Sequence, residues 1–350
     1  MSAPTPSAIT AIVPARNEEQ SIETCVRSLA AQPEIAEIRV VNDGSSDRTA
    51  EILARLAAEI PRLRVIDAGP LPDGWVGKNH AAWLGAQDST TDWLLFTDAD
   101  VRHLPGSAAH ALANGELRGA ALVSYSPQQR LETWWERAMI PFVFSRLALR
   151  YPYKKVNDPR SRIAAANGQY LMIRRDAYGS IGGHRAVAGE VLEDVALARR
   201  AKAAGFTLHF VPGVTIAETR MYRTFAAMWE GWTKNLYPLN GASPLALVAE
   251  LVCVLPILEF TVLYFLVLSR LPSQGFNWGI WVAFAGMVLN RAGFFYRDQT
   301  PPENQSSASG ISWWYWPLGL PLYCTALTVS AWRHATGAVA WKGRTYPASS

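Results

Sequence analysis

The stretch Trp93-Leu94-Leu95-Phe96-Thr97-Asp98-Ala99-Asp100 is an apolar run of strand length that ends in two carboxylates. Such a run is typical of a strand buried on both faces. Side chains at positions i and i+2 of an extended chain point to the same side, so Asp98 and Asp100 could share one small, hard cation. The alternative is that the two aspartates only cap the following turn, as acidic residues often do.

Predicted strands and helices alternate around this stretch. The first predicted helix is capped by Asn17 and the second by Asp47. Alternation at this spacing predicts an α/β fold with a mostly parallel sheet, whose ligands bind at the carboxyl ends of the strands. The turn Asn42-Asp43-Gly44-Ser45-Ser46-Asp47 also follows a strand, so we expect it at the same edge as Asp98 and Asp100. The predicted strands are 9–13, 38–41, 63–66, the run from 93, and 167–173, and the predicted helices include 78–87 and one that opens at 192.

Composition narrows the class of protein. The chain has 350 residues and 49% hydrophobic content, which is enough for more than one core. Its formal charge of +4 comes without blocks of Lys or Arg, which argues against a nucleic-acid partner. Most of its 14 tryptophans lie at or after residue 134, and Trp and Tyr collect at bilayer interfaces. A membrane is therefore the expected anionic surface.

The second half of the chain carries the predicted membrane region. We expect a domain over 1–240 and a membrane region with a short basic tail over 241–350, with two or three transmembrane segments. The N-terminus has no signal-peptide pattern, so we expect a multi-pass protein of the cell membrane whose first domain is cytoplasmic. The stretch 131–150 either lies at the membrane interface or packs under the first domain, and 313–332 is the segment that could be re-entrant. The predicted interfacial helices are 131–150 and 220–237, and the predicted spans are 245–268, 276–296 and 313–332.

Four motifs occur in order along the first domain: Val13-Pro14-Ala15-Arg16-Asn17-Glu18, Asn42 to Asp47, Thr97 to Asp100, and Leu192-Glu193-Asp194. Over about residues 8–235 they resemble the family 2 inverting glycosyltransferases, which have the GT-A nucleotide-diphosphosugar transferase fold. The stretches Pro72 to Asn79 and Trp341 to Tyr346 are similar to membrane-bound members that glycosylate lipids, such as the hopanoid-associated, carotenoid-acid and ceramide glycosyltransferases.

The donor side of the expected site follows from the charge of the substrate. A sugar nucleotide brings a diphosphate whose negative charge grows as the glycosidic bond breaks, so a divalent cation is expected. Asp98 and Asp100 are the expected ligands of Mg²⁺ or Mn²⁺, as the resemblance also implies. Asp43 and Gly44 are expected at the base or ribose, and Lys78 either reaches phosphate or is an exposed helix lysine. By analogy with the family, Pro14, Arg16 and Glu18 would line the pocket for the base, and we expect a UDP-sugar.

The acceptor side rests more heavily on the resemblance. It places the catalytic base at Asp194, with Glu193 orienting the acceptor or a loop, although two acids at a helix start are also stabilised by the helix dipole. Asn167 and Gly168 are expected to shape the sugar pocket. The Gln/Arg-x-x-Arg-Trp signature of processive synthases and ceramide enzymes is absent.

In place of that signature, residues 220–234 supply Arg, Trp and Lys in another arrangement. Arg223 or Lys234 is predicted to neutralise the diphosphate, and Trp232 to pack against the acceptor. The alternative is that these residues belong to an interfacial anchoring helix.

The sequence thus predicts inverting transfer of a hexose from a nucleotide sugar to a lipid acceptor at the cytoplasmic membrane face. Two alternatives remain open at this stage. One is a polysaccharide synthase, which would need enough spans to form a pore. The other is a membrane scaffold without turnover, although such a protein would be free to lose the acids at positions 98, 100 and 194.

Overall fold

The computed structural model describes residues 8–254, 315–341 and 344–346. Contacts divide the chain into two compact units, which are described separately. The first contains the residues up to 130 together with 151–221, and the second contains 131–150 and the residues from 222 onward. The predicted boundary at residue 240 stays a prediction.

The first unit is an α/β domain built on one eight-stranded sheet. The strand order is β3-β2-β1-β4-β7-β6-β8-β5. Its strands are β1 Ile9–Ala15, β2 Ile35–Asn42, β3 Leu63–Asp67, β4 Trp93–Phe96, β5 Val101–His103, β6 Leu122–Gln129, β7 Leu171–Arg174 and β8 Leu208–Thr219. Its helices are α1 Ile22–Ala30, α2 Thr49–Glu59, α3 Gly77–Ala86, α4 Ser107–Arg118, α6 Tyr153–Asn157, α7 Arg175–Ser180 and α8 Glu193–Ala203, with a 3₁₀ turn at Gly183–Val187.

Alternate residues of the central strands face two separate hydrophobic cores. Ile9, Ala11 and Val13 of β1 pack with α1, α2 and α4 on one face of the sheet. Ile12 of β1 packs on the other face, where α3, α7 and α8 contribute apolar residues. Burial on both faces explains why these strands have nearly continuous apolar sequences.

The sheet is mixed but mostly parallel, as predicted, because four of its seven neighbouring pairs are parallel, among them β6 and β8. Strands β3, β2, β1 and β4 are parallel neighbours, as predicted. Strand β7 then runs antiparallel between β4 and β6, and β5 runs antiparallel to β8. The predicted strand 167–173 is observed only from Leu171, because 167–170 form a turn before it.

The two predicted helix caps had different outcomes. Asp47 accepts a hydrogen bond from the Thr49 backbone N–H at 3.0 Å and so satisfies one N–H at the start of α2, although the N-cap position itself is Arg48. The prediction for Asn17 was wrong, because α1 begins later, at Ile22. Asn17 adopts a positive φ of 54° and its side-chain oxygen accepts the Ser46 backbone N–H at 2.8 Å, so it stabilises the turn after β2.

In the part of the second unit that the structure describes, there are helices and one antiparallel pair of short strands. Arg146 pairs with Glu250 at 2.6 Å, and Glu250 also accepts a hydrogen bond from Tyr323. These contacts join three helices through one carboxylate. The elements are α5 Trp134–Arg150, α9 Phe225–Leu239, α10 Pro244–Val254, α11 Trp316–Thr336, β9 Val339–Trp341 and β10 Arg344–Tyr346.

Only part of the predicted membrane spans falls within the residues that the structure describes. Of the described helices, none is on its own both long and apolar enough to cross a bilayer. The pair α9 and α10, bent by 110° at the break between them, passes a test of length and composition when taken together. Most of the predicted span 245–268 and all of 276–296 lie outside the described residues.

Candidate active site

The turn after β2 is held by residues that follow β1. The Arg16 guanidinium donates hydrogen bonds to the carbonyl oxygens of Asp43 at 2.6 Å and Gly44 at 3.2 Å. Gly44 has a positive φ of 63°, a conformation that side chains disfavour. Asp43 is buried at 4% exposure. Arg16 therefore fixes the shape of this turn, where a nucleotide base or ribose was expected.

Two more of the expected donor residues lie at the same edge of the sheet. Pro14 is the second-to-last residue of β1 and lines a narrow pocket. Glu18 accepts a hydrogen bond from the Ser21 hydroxyl at 2.8 Å, and its backbone N–H donates to Thr49. Contact of either residue with a base remains a prediction.

Lys78 lies at the centre of the carboxylate cluster. It is the second residue of α3, and its Nζ is 2.6 Å from Asp98 Oδ1 and 2.7 Å from Glu193 Oε1. Burial favours the neutral amine, but the negative charges of Asp98, Glu193 and Asp194 outweigh it and raise the pKa of Lys78 well above its ordinary value. Lys78 is therefore a charged bridge between the end of β4 and the start of α8, not an isolated surface lysine.

Asp194 is held by two backbone N–H groups. Its Oδ2 accepts from Gly168 at 2.8 Å and its Oδ1 from Val195 at 2.7 Å. Burial, and then the negative charge of Glu193, raise the pKa of Asp194 to about 6, although Lys78 and the two N–H groups act in the opposite direction. This carboxylate is ionised at neutral pH and is a stronger base than an ordinary aspartate.

The backbone of Gly168 passes close to the side chains of this cluster. A Cβ at this position would lie 3.0 Å from Lys78 Nζ and 3.2 Å from Glu193 Oε1. The preceding residue, Asn167, anchors the turn, because its backbone N–H donates to Ser124 and its side-chain oxygen accepts the Gln169 N–H. The structure thus brings Gly168 directly to Asp194, with Asn167 next to it.

The narrow pocket that Pro14 lines also contains a histidine that no motif in the sequence indicated as functional. His184 lies beside Lys78, Glu193 and Asp194 in the pocket lining. Its Nδ1 is 2.9 Å from the Tyr178 hydroxyl, and burial, with the nearby positive charge of Lys78, lowers its pKa to about 3. His184 is therefore neutral, and the only sequence signal near it was the turn at Gly182-Gly183.

Comparisons with known proteins bear on the family and the fold of the chain. The sequence model described as "Glycosyl transferase family 2" matches residues 10–182. The chain thus contains a glycosyltransferase family 2 domain. A 4,4'-diaponeurosporenoate glycosyltransferase of Staphylococcus aureus strain MRSA252 is 28% identical over 98% of this chain and 89% of its own length. The protein of the same name from strain USA300 is 27% identical with the same coverage.

A solved structure supports the fold. A mannosyltransferase from Pyrobaculum calidifontis, solved in complex with GDP-Man and Mn²⁺, superposes with a TM-score of 0.57. The match covers 94% of this chain and 87% of the mannosyltransferase at 18% identity. The α/β unit of this glycosyltransferase therefore has the GT-A-like fold that the motifs indicated.

The residues that this glycosyltransferase offers to a metal are carboxylates. Asp98 and Asp100 directly follow β4, and no group of three or more His, Cys, Asp or Glu side chains within the described ranges is arranged to hold a metal. Two carboxylates nevertheless suit Mg²⁺ or Mn²⁺ when the substrate's own phosphate oxygens and water complete the ligand set. His103 is not part of this set, because it is buried and its Nε2 is 3.1 Å from the Thr97 hydroxyl.

The remaining expected residues of this glycosyltransferase belong to the second unit. Trp232 is 3% exposed, and its ring lies beside the rings of Phe144 and Tyr222. The Lys234 carbonyl oxygen is 2.8 Å from His334 Nε2, and Arg223 lies just before α9. Their expected roles toward diphosphate or acceptor stay predictions.

Proposed function

We propose that this glycosyltransferase moves a hexose from a nucleotide-diphosphate sugar to a hydroxyl or carboxyl group of a lipid, with inversion at the anomeric carbon. The observation that carries the proposal is the cluster at the carboxyl end of β4. There, Lys78 bridges Asp98 and Glu193, and Asp194 stands next to them with its raised pKa. Donor-side and acceptor-side acids are thus within reach of one lysine.

The donor half of the proposal follows from charge. Asp98, Glu193 and Asp194 bring three carboxylates, and Lys78 is the cation that they surround. A dianionic diphosphate would be repelled from such a site without further positive charge. A bound Mg²⁺ or Mn²⁺, held by Asp98 and Asp100, would supply that charge and stabilise the leaving diphosphate. The turn at Asp43 and Gly44 is the proposed site of the nucleoside, which we propose to be uridine.

The acceptor half assigns the proton transfer to Asp194. As the acceptor oxygen forms its bond to the anomeric carbon, the bond from that carbon to the diphosphate oxygen breaks on the opposite face. The proton of the acceptor passes to the Asp194 carboxylate, and the diphosphate leaves with the electron pair of the broken bond. If the acceptor is a carboxylic acid that is already ionised, no proton needs to move and Asp194 only orients it.

The lipid acceptor is supported by similarity and composition. The two relatives are named for the glycosylation of 4,4'-diaponeurosporenoate, a carotenoid acid. The apolar and aromatic second half of the chain fits a water-insoluble acceptor, which we propose is met at the cytoplasmic face of the cell membrane.

The proposal is tested with membranes that contain the full chain. They receive radiolabelled UDP-hexoses or GDP-hexoses, Mg²⁺ or Mn²⁺, and either a carotenoid acid or a total lipid extract. We expect label in the lipid fraction that disappears with Asp194→Asn. Label in a high-molecular-mass polymer would instead favour a polysaccharide synthase, and the absence of turnover with every donor and acceptor would contradict the proposal.

A further inference from the structure

Asn79, the neighbour of Lys78 on α3, is fully buried and makes an unusual set of contacts. Its side-chain nitrogen donates to the carbonyl oxygens of Val187 at 2.9 Å, Ala188 at 3.0 Å and Glu190 at 2.8 Å. All three carbonyls belong to one loop, 187–190, which begins at the last residue of the 3₁₀ turn and precedes α8. One amide thus holds a whole loop against the start of α3.

The same loop is held by the backbone on either side of Asn79. The Val76 N–H donates to the Ala188 carbonyl at 2.8 Å. Gly189 approaches the Gly74 carbonyl so closely that an added Cβ would lie 3.2 Å from it. The loop and the stretch 74–79 are therefore in close backbone contact.

The position of the Asn79 side chain is unfavourable for its oxygen atom. The Asn79 side-chain oxygen is buried and has no hydrogen-bond partner among the described residues. A buried acceptor left in this state is unfavourable, so stability alone does not explain an amide here. What the amide does provide is a fixed position for the loop that leads, within four residues, to Glu193 and Asp194.

We propose that Asn79 is a positioning residue for the catalytic acids, an inference that rests on the proposed function of Asp194. Lys78 and Asn79 act from one helix turn: Lys78 holds the Asp98 and Glu193 side chains, and Asn79 holds the backbone from which Glu193 and Asp194 project. The spacing between the donor acid and the base is thereby fixed before any substrate arrives, which is how a site gains rate through orientation.

The test compares Asn79→Ala with a matched control on β2, Arg39→Met, which removes a side chain that contacts the other end of the same helix. Arg39 is also buried and also donates to three carbonyls, those of Gly85, Gln87 and Asp88 at the far end of α3. We expect Asn79→Ala to lower kcat by about 10- to 100-fold, with the KM for the nucleotide sugar changed by less than about 3-fold. Arg39→Met should lower the melting temperature but leave kcat within about 2-fold of the parent.

A second measurement does not depend on turnover. Hydrogen–deuterium exchange of the full-length protein should become faster over 187–195 in Asn79→Ala, and not over the same segment in Arg39→Met. If Asn79→Ala does not fold, Asn79→Ser keeps one donor and should show the same changes to a smaller degree.

The outcomes separate this inference from the proposed function. If kcat stays at the parent level although the loop exchanges faster, Asn79 is not a positioning residue. An equal loss of kcat in Arg39→Met would show that α3 acts only through general stability, and unchanged exchange would show that Asn79 does not hold the loop. A parent enzyme that transfers no sugar would overturn the proposed function, while the exchange data would still decide whether the loop is held.

Discussion

Asp194→Asn should make the protein more stable at neutral pH while it abolishes transfer. Burial and Glu193 raise the pKa of Asp194 from 3.8 to about 6. This carboxylate therefore carries a cost in the folded state whenever it is ionised. A shift of about 2 pH units corresponds to about 3 kcal/mol. The amide that replaces this carboxylate has only one oxygen, so it keeps only one of the two hydrogen bonds from backbone N–H groups. Loss of the other costs about 1 kcal/mol, so we expect the variant to be more stable by about 2 kcal/mol.

The gain should depend on pH in a defined direction. Above about pH 6 the Asp194 carboxyl is ionised in both the folded and the unfolded state, and the full cost is present. Between about pH 4 and 6 the folded state keeps a proton that the unfolded state has released, so the cost shrinks as the pH falls. The advantage of Asp194→Asn should therefore be largest at about pH 8 and mostly lost at about pH 4.5.

Thermal unfolding of the full-length protein at these two pH values measures the effect, and a gain of about 2 kcal/mol raises the melting temperature by several degrees. Asp176→Asn is the matched control, because hydrogen bonding to Arg174 lowers the pKa of Asp176 and its loss should not stabilise at any pH. A variant Asp194→Asn that is no more stable than the parent at about pH 8, or equally favoured at both pH values, would refute the electrostatic reasoning.

Three further predictions concern activity. Transfer to a hydroxyl acceptor should fall as the pH drops through about 6, since Asp194 must lose its proton, and a pH–rate profile with no acid limb near this value would exclude it as the base. Lys78→Met should lower kcat/KM by at least about 100-fold, because three carboxylates lose their shared cation. The control is Lys202→Met, which removes a lysine that donates to three backbone carbonyls within 155–163, and it should leave kcat/KM within about 3-fold of the parent. EDTA should abolish transfer and Mn²⁺ restore it, whereas Asp100→Ala should need a higher Mn²⁺ concentration; turnover that ignores EDTA would remove the metal from the proposal.

Much of the fold was predictable because burial leaves a direct mark on sequence. Strands β1 and β4 have apolar side chains on both faces, so their runs were visible and their pairing in parallel followed from the helices between strands. Strand β7 was harder to predict. Its insertion antiparallel between β4 and β6 depends on partners far away in the chain, and no local pattern encodes that direction. Asn17 was misassigned for a similar reason, since its partner Ser46 is on another loop.

The start of α3 shows why the site could be predicted only in part. Gly77-Lys78-Asn79 looks like an ordinary helix start, and its composition says nothing about two different targets. Successive residues of a helix point about 100° apart, so the side chains of Lys78 and Asn79 must reach different neighbours. Lys78 pairs with Asp98, which follows β4, and with Glu193 at the start of α8. Asn79 donates hydrogen bonds to the carbonyls of 187–190. Glu193 and the carbonyls of 187–190 come after β7 in the chain, and β7 lies next to β4 in the sheet. Asp98 and Asp100 follow an apolar run and can be recognised in the sequence, whereas Glu193 and Asp194 were found through the family resemblance. That Lys78 bridges two of these acids and Asn79 holds the loop before α8 becomes visible only in the folded chain.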